Sequence, residues 1–334
     1  MTEPIRVGIA GYGIVGRKRH HFLSADPNFI VSAICDKTLS SNTVSDPSIS
    51  TFTDYQSLLS CPIDAIFVCL SNDMAAEVTL LSLEQNLHVF CEKPPARNLT
   101  ELQPILVQEK SQNKLKLKYG FNHRYHQSVI EALDIVSSGD MGRVINIRGV
   151  YGKSNLITFD QTDWRTKRSI AGGGILLDQG IHMVDLVRLF GGQYQNVFSF
   201  ISNDYWKYDV EDNAYALMKS DSGVVAMLHS SATQWQHKFR LEIGLERGLL
   251  TLSGILSGSQ SYGRELLSIL YTSNSNEPHE SQVQHEYTSD NSWADEIADF
   301  AADIQLNRPV STGSSLDALE TMELITRIYD NDQS

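Results

Sequence analysis

Asp178 and His182 stand four positions apart in a segment that is otherwise apolar. The segment 172–190 starts with three glycines and then carries apolar residues nearly all round, which predicts a buried helix. At this spacing the two side chains share one helix face, and Asp185 continues it. A buried carboxylate and imidazole need polar partners or a cavity, and an imidazole that titrates near neutral pH can accept a hydroxyl proton. The pattern therefore predicts acid/base chemistry, with a self-satisfied core pair as the alternative.

Lys93 directly follows a predicted strand at 88–92 and precedes two prolines. In open α/β sheets, ligands bind outside the carboxyl ends of the strands. Because the first proline fixes the turn after the lysine, the amine is predicted to point into such a site. An ordinary surface lysine at a strand end is the alternative.

A glycine-rich turn follows the first predicted strand and opens a helix. The spacing Gly-x-Gly-x-x-Gly allows a tight turn, a close approach of the backbone to a pyrophosphate, and close packing of helix on strand. The helix N-terminus adds free N–H groups and a positive dipole for phosphates. The turn and helix start are therefore predicted to hold a dinucleotide through Gly11, Gly13, Ile14, Val15 and Gly16. A glycine-rich turn without a cofactor is the alternative.

Asp36 ends the second predicted strand, 20 residues after Gly16. A carboxylate there accepts the ribose hydroxyls and repels a 2′-phosphate, so the sequence favours NAD over NADP. Lys37 follows directly, and Arg17 lies at the start of the helix. Because either cation could meet a 2′-phosphate, NADP stays open as the second choice.

The elements that must position these residues fall into two parts. The first third alternates apolar strands with helices, which predicts a doubly wound parallel sheet. After about residue 120, alternating segments joined by turn residues predict an antiparallel sheet with one apolar face, interrupted by the helix near 175–190. Two further helices are predicted at 292–305 and 315–330. The fold class is α/β with two domains.

The composition excludes several classes of protein. Hydrophobic residues make up 41% of the 334 residues and charged residues 20%, so a buried core is expected and global disorder is excluded. The formal net charge of −13 argues against a nucleic acid or an anionic membrane surface as partner. The apolar runs are too short to predict a membrane span, and no leader segment is visible.

The four cysteines form no C-x-x-C pair. We therefore expect reduced thiols in a cytoplasmic protein and no metal site.

Together these motifs resemble the Gfo/Idh/MocA oxidoreductases, named for glucose–fructose oxidoreductase and inositol dehydrogenase. The resemblance covers almost the whole chain and rests on the glycine turn, Glu92-Lys93-Pro94, the glycine-led helix with Asp178 and His182, and the segment 308–319.

The resemblance implies a Rossmann domain over residues 1–121 and an α/β domain over 122–334 with a large, mostly antiparallel, open-faced sheet. The open face implies a subunit interface in a homodimer or homotetramer. The terminal helix, about 315–330, is expected to pack back on the first domain.

The resemblance also implies roles for single residues. Lys93 is the catalytic lysine that holds the reacting oxygen, and Asp178 positions the substrate and the imidazole. His182 takes the hydroxyl proton as hydride leaves for C4 of the nicotinamide. Further cofactor contacts are implied at Ser71, Asn72, Glu92 and Lys93, beside Asp36 and Lys37. Further substrate contacts are implied at Asn122, Arg124, Lys153, Trp164, Arg165 and Trp235.

The expected function is an NAD(P)-dependent oxidoreductase that acts on a ring hydroxyl or ketone of a sugar, sugar nucleotide or cyclitol. The segments 164–182 and 205–213 resemble a subgroup associated with surface-polysaccharide sugars. One alternative is a reductase of a non-sugar substrate such as a dihydrodiol. The other is a regulator that senses dinucleotide without turnover, like the galactose-pathway repressor of yeasts.

Overall fold

The computed structural model describes most of the chain. The described residues are 3–39, 44, 46–112, 114–154, 164–257, 260–272 and 281–333. They form two compact units, the first built from residues 1–122 and 293–319 and the second from 123–292 and 320–334.

This division differs from the predicted domains in one segment. The sequence assigned everything after residue 121 to the second domain, whereas the contacts place residues 293–319 with the first unit. The helix expected at 315–330 is divided, with its first five residues in the first unit and the remainder in the second.

The first unit contains a six-stranded parallel sheet in the order β3-β2-β1-β4-β5-β6, which is the strand order of dinucleotide-binding folds. Its strands are β1 (Ile5–Ala10), β2 (Phe29–Cys35), β3 (Ser50–Phe52), β4 (Ala65–Val68), β5 (His88–Cys91) and β6 (Leu117–Tyr119). The predicted doubly wound sheet is confirmed. The short edge strand β3 was not predicted, because three residues carry no periodic signal.

Helices cover this sheet. They are α1 (Ile14–Ala25), α2 (Tyr55–Leu59), α3 (Asn72–Glu84), α4 (Leu99–Ser111) and, from the later segment, α8 (Ser292–Gln305). Local capping explains where two of them begin, since Asp54 accepts from the Ser57 N–H and Asn98 from the Glu101 N–H.

An aromatic cluster explains why the later segment belongs to the first unit. Phe67 of β4 stacks on Phe90 of β5 with ring centroids 4.7 Å apart. Phe300 of α8 packs edge-on against both rings, at 5.8 Å and 5.6 Å. All three side chains are fully buried, so α8 completes the core of the parallel sheet.

The second unit contains an eight-stranded sheet in the order β14-β13-β12-β11-β7-β10-β9-β8. Its strands are β7 (Val144–Gly152), β8 (Tyr194–Ser202), β9 (Asn213–Ser220), β10 (Val225–Ser231), β11 (Lys238–Leu245), β12 (Gly248–Ser253), β13 (Glu265–Tyr271) and β14 (Ser281–Tyr287). β7 and β10 pair in parallel and the other neighbouring strands of this sheet pair antiparallel, so the mostly antiparallel sheet is confirmed. β13 was not predicted.

One face of this sheet carries helix α7 (Ile181–Gly191), preceded by a π-helical turn at Leu176–Gly180. The other helices of the unit are α5 (Gln127–Ser138), α6 (Arg168–Ala171) and the later part of α9 (Ser315–Asp330). The stretch Arg168–Gly191 is long and apolar enough to cross a membrane, but 83% of its most apolar window is buried inside the protein. That burial is typical of a core helix.

A buried ion network links three elements of the first unit. The Arg19 side chain, fully buried on α1, donates to Glu92 and Glu296, each at 2.7 Å. Its guanidinium lies between the rings of Phe90 and Trp293, 4.4 Å and 4.2 Å from their centroids. Burial raises the pKa of Glu296 to about 7, although the charge of Arg19 opposes that shift.

This shift predicts a pH dependence of stability. A carboxyl group whose pKa is raised on folding holds its proton in the folded state after the unfolded chain has lost it. Glu296 therefore stabilises the folded state most at pH values below 4.5, its ordinary pKa. This stabilisation declines as the pH rises from there to about 7. Glu296→Gln removes this decline, which is on the order of 3 kcal/mol. Urea unfolding at pH 5, 6 and 7 measures it.

The half-exposed Glu323 of α9 provides the matched control, since Glu323→Gln leaves the buried network intact. Equal slopes of unfolding free energy against pH in wild type and Glu296→Gln contradict the assignment.

Candidate active site

The glycine turn between β1 and α1 has the shape that a diphosphate requires. Gly11 has a φ of +92°, and a Cβ there would lie 2.3 Å from the Cys69 carbonyl oxygen. A Cβ on Gly16 would lie 1.9 Å from the Gly11 carbonyl oxygen. At Gly13, by contrast, no described atom lies within 4 Å of an ideal Cβ. Gly11 and Gly16 therefore permit the tight turn, and Gly13 faces open space where a ligand can approach the backbone.

Helix α1 presents its first N–H groups toward the same turn. Among the described residues no side chain caps the helix at Gly13, and no acidic residue lies in its first turn. The N–H groups of Ile14 and Val15 precede the first helical hydrogen bond, from Arg17 to the Gly13 carbonyl at 3.0 Å. Uncapped N–H groups and the helix dipole favour an anion, so these residues fit a dinucleotide diphosphate.

Asp36 follows β2 and is locked in place by its neighbours. One carboxylate oxygen accepts from the Tyr12 N–H at 2.7 Å, and the other accepts from the Thr38 N–H and hydroxyl at 2.8 Å and 2.7 Å. Burial opposes ionisation, but these hydrogen bonds and the charge of Lys37 outweigh it, and the pKa of Asp36 is lowered. An ionised, oriented carboxylate thus stands at the end of β2, and the exposed Lys37 follows it.

Two other loops follow strands at the same edge of the sheet. After β4, Ser71 precedes α3 and donates to Asp73 at 2.6 Å, and Asn72 is buried. After β5, Glu92 is committed to its ion pair with Arg19, and the half-buried Lys93 comes next in the chain. Since carboxyl ends of parallel strands share one edge, these predicted contacts lie on the edge that carries the glycine turn.

In the second unit, the structure brings three of the predicted substrate residues, Lys153, Arg165 and Trp164, into one cluster with Asp178. The Asp178 carboxylate lies 3.5 Å from the Lys153 ammonium and 3.7 Å from the Arg165 guanidinium. The Arg165 guanidinium in turn lies over the Trp164 ring, 4.4 Å from its centroid. The cluster combines an anion, two cations and an aromatic face, which are the groups that bind polar ring compounds.

His182 is buried one turn further along the same helix, and its ring stacks on His123. The two ring centroids are 3.8 Å apart and the planes differ by 13°. His123 Nε2 forms a 3.2 Å hydrogen bond with the Tyr151 hydroxyl. Sequence analysis did not select His123 or Tyr151. The available signal was the position of His123 between two residues that were selected, Asn122 and Arg124.

Three predicted contacts have other neighbours in the structure. Arg124 forms a buried ion pair with Asp185 through two hydrogen bonds of 2.7 Å and 2.6 Å. Its guanidinium therefore binds a carboxylate on α7. Asn122 is buried at the start of a 3₁₀ turn. Trp235 is 61% exposed and packs edge-to-face on Tyr205 with centroids 5.0 Å apart.

The described residues contain no group of three or more His, Cys, Asp or Glu that could hold a metal ion. The four cysteines, Cys35, Cys61, Cys69 and Cys91, are free thiols. Burial raises the pKa of Cys91 to about 12, so this thiol is protonated at neutral pH.

Two family models match the chain. The model described as "Oxidoreductase family, NAD-binding Rossmann fold" matches residues 5–121, and the model of the GFO/IDH/MocA C-terminal domain matches residues 129–251. The chain belongs to the GFO/IDH/MocA family. It is therefore an NAD(P)-dependent oxidoreductase acting on CH–OH groups, and the expected resemblance, fold and nicotinamide cofactor are confirmed.

Curated relatives of this GFO/IDH/MocA protein include sugar and cyclitol enzymes. The D-glucoside 3-dehydrogenase of Escherichia coli is 26% identical over 98% of this chain and 95% of its own length. The 1,5-anhydro-D-fructose reductase of Ensifer adhaerens is 30% identical over 51% of each chain.

Solved structures establish the same fold. Levoglucosan dehydrogenase in complex with NADH has a TM-score of 0.85 at 20% identity, over 98% of this chain and 97% of its own. A 3-ketoreductase variant from Actinomadura kijaniata, in complex with TDP-benzene and NADP, has a TM-score of 0.83 at 20% identity, over 99% and 98%.

The position of Asp36 predicts the effect of its removal on cofactor choice. Asp36→Ala deletes the carboxylate that would accept the ribose hydroxyls. We expect the affinity for NADH to fall roughly tenfold or more, with a smaller loss for NADPH. Fluorescence titration of both reduced cofactors measures the two dissociation constants.

Asp46→Ala is the matched control, because Asp46 accepts from the Ser48 N–H and hydroxyl much as Asp36 does from Thr38. An unchanged ratio of NADH to NADPH affinity in Asp36→Ala contradicts the assignment.

Proposed function

We propose that this enzyme transfers hydride between nicotinamide C4 and a ring hydroxyl or ketone of a sugar, sugar nucleotide or cyclitol. The observation that carries the proposal is the Asp178 cluster, an anion flanked by Lys153 and Arg165 one turn before the buried imidazole of His182. Relatives named as glucoside, levoglucosan and inositol dehydrogenases support a polyhydroxylated ring as substrate.

Each of these residues has a separate role in the proposed reaction. NAD(P), when bound, accepts or supplies the hydride. His182 holds the proton of the reacting hydroxyl, because its pair of ring nitrogens can take up and release a proton near neutral pH. Lys93 stabilises the negative charge that develops on the reacting oxygen. Asp178, oriented by Lys153 and Arg165, accepts hydrogen bonds from a neighbouring hydroxyl and so aligns the ring.

Three finer assignments complete the proposal. NAD is the preferred cofactor, since the ionised Asp36 disfavours a 2′-phosphate, with NADP second because Lys37 is adjacent. A sugar nucleotide of surface-polysaccharide synthesis is supported by the two cations beside Asp178, which could meet a diphosphate. Four free thiols are in keeping with a cytoplasmic location.

The open face of the eight-stranded sheet supports assembly with a second copy of the chain. Six large apolar side chains on β8, β9 and β10 are 39–54% exposed and lie on neighbouring strands: Phe198, Phe200, Tyr215, Leu217, Val225 and Met227. Five of the six, all except Val225, line a depression of ≈ 730 Å³ together with residues of β7 and β11. A contiguous apolar face of this kind is typical of an interface, so we propose a homodimer or homotetramer through this sheet.

Assembly through this face predicts that a charge placed in its centre separates the subunits. Leu217→Asp places a carboxylate between Phe198 and Met227 of the neighbouring strands, where the interface would bury it, and we expect monomers at micromolar concentration. Light scattering after size-exclusion chromatography measures the mass. Leu306→Asp, at a position 72% exposed in the first unit, is the control. A monomeric wild-type protein rules out the proposed assembly.

The catalytic proposal predicts that the protein oxidises or reduces a substrate and that a substitution at His182 lowers this activity. Reduced-nicotinamide absorbance should change with one class among free sugars, inositols and nucleotide sugars. His182→Asn should lower kcat about a hundredfold or more while the cofactor dissociation constant stays unchanged. His285→Asn is the control, because His285 pairs with Glu131 away from this helix. Near-normal turnover in His182→Asn moves the proton-transfer role to another residue.

Binding of cofactor without turnover across the whole panel, with keto sugars and reduced cofactor included, would instead favour a sensing function.

A further inference from the structure

His182 does not stand alone in the core of the second unit. Its ring lies flat on the ring of His123, with centroids 3.8 Å apart and planes within 13°. Both side chains are nearly excluded from solvent, at 6% and 8% exposure. The contact is made by two side chains 59 positions apart in the chain, so the fold itself brings the rings together.

A stacking partner matters because the rotamer alone does not fix the plane of a histidine ring. The terminal torsion of histidine is broad and roughly two-fold, in contrast to the sharp wells of aliphatic torsions. The direction of each ring nitrogen depends on that torsion. An acid/base imidazole that must meet a hydroxyl at hydrogen-bond distance therefore needs a neighbour that restricts its plane.

His123 is itself held on two sides. Its Nε2 forms a 3.2 Å hydrogen bond with the hydroxyl of Tyr151, and burial holds the pKa of Tyr151 well above its ordinary value, so this hydroxyl stays protonated. The Tyr151 ring packs edge-on against Phe239 with centroids 5.2 Å apart. These contacts fix the plane of the His123 ring in turn.

His126 flanks His123 edge-on, with ring centroids 5.5 Å apart and an angle of 67°. Its Nδ1 lies 2.7 Å from the buried carboxylate of Glu265, which also accepts from the Ser128 hydroxyl at 2.7 Å. Burial opposes ionisation of Glu265, but the bonds from His126 and Ser128 outweigh it and lower its pKa. The row of three imidazoles thus ends at a buried carboxylate.

The remaining charged and titratable groups around this row are distributed over the helix, β7 and the loop before β13. Asp178 with Lys153 lies one turn before His182, and Asp185 with Arg124 lies one turn after it. Tyr262, before β13, packs on Tyr151 with ring centroids 5.3 Å apart. Each of the two carboxylates is paired with a cation, so their fields at the stack are partly cancelled.

We propose that His123 is a positioning residue that fixes the ring plane of His182 and offers it a neutral aromatic face when it holds the substrate proton. This inference rests on the proposed function, in which His182 exchanges that proton. Two imidazolium rings with centroids 3.8 Å apart would repel each other, so a stack in which only one of the two rings is charged is favoured. A cation over a neutral ring is instead attracted to its face.

Two substitutions separate stacking from other roles. His123→Ala removes the ring that stacks on His182, and we expect kcat to fall about a hundredfold with the cofactor dissociation constant unchanged. His123→Phe keeps a flat ring in the same place, and we expect kcat within about fivefold of wild type. His285→Ala, which removes a histidine paired to Glu131 on the edge strand β14, should leave kcat unchanged.

A spectroscopic readout tests the contact without any turnover. The stacked ring should shift the Cε1–H resonance of His182 upfield in the NMR spectrum of the wild type. The shift should be lost in His123→Ala and largely retained in His123→Phe. The His182 resonance is assigned by its absence in His182→Asn. This measurement keeps the stack testable even where no substrate gives turnover.

The outcomes are distinct. Low kcat in His123→Ala with recovery in His123→Phe supports the proposal. A kcat within threefold of wild type in His123→Ala overturns it, as does an equal loss in folded samples of both variants. Normal turnover in His182→Asn, together with the upfield His182 shift in the wild type, overturns the assigned function of His182 and leaves the stack as a packing contact.

Discussion

The buried ion pair between Arg124 and Asp185 determines how the second unit is arranged around its polar residues. A carboxylate in the middle of an apolar helix is costly to bury unless a cation meets it with good geometry. Arg124 meets it with two hydrogen bonds, and Thr321 adds a third at 3.2 Å. Because His123 precedes Arg124 and His182 stands three residues before Asp185, the ion pair also brings the two imidazoles together.

In the first unit, buried charges are likewise paired with opposite charges, and the partners lie further apart in the chain. Arg19 on the helix after the glycine turn is paired with Glu92 beside Lys93 and with Glu296 from the far end of the chain. Lys118 of β6 makes a similar link to Asp299 and Asp303 on α8. These pairs attach a distant helix to the parallel sheet, and they connect the helix after the glycine turn with the strand end that carries Lys93.

A feature of this molecule could be predicted from the sequence when the residues that determine it lie close together in the chain. The glycine turn, Asp36 and the alternation of strands and helices are local features, since a spacing within about twenty residues determines them. The Asp178 cluster was partly predictable, because Lys153, Trp164 and Arg165 lie close before it in the chain.

The features that the sequence missed depend on partners far apart in the chain. Nothing in the order of residues shows that Arg124 meets Asp185, that Arg19 meets Glu296 across 277 positions, or that His123 stacks on His182. The grouping of residues 293–319 with the first unit also depends on distant partners, since Phe300 packs on Phe67 of β4 and Phe90 of β5. Pairing of buried charges and rings is decided by packing, which residue types alone do not encode.

At the π-helical turn Leu176–Gly180, the number of residues in the chain affects the geometry of the candidate site. Such a turn holds one residue more than the α-helical path, and it is widened where Gly180 approaches Ser230 so closely that a Cβ would lie 2.3 Å from the hydroxyl oxygen. Loss of a single residue there would restore the α-helical path and change the position of Asp178 relative to His182. The distances from Asp178 to Lys153 and Arg165 would then change, although all three side chains would remain. In this part of the molecule, insertion and deletion are thus a route by which evolution could change specificity without exchanging one amino acid for another.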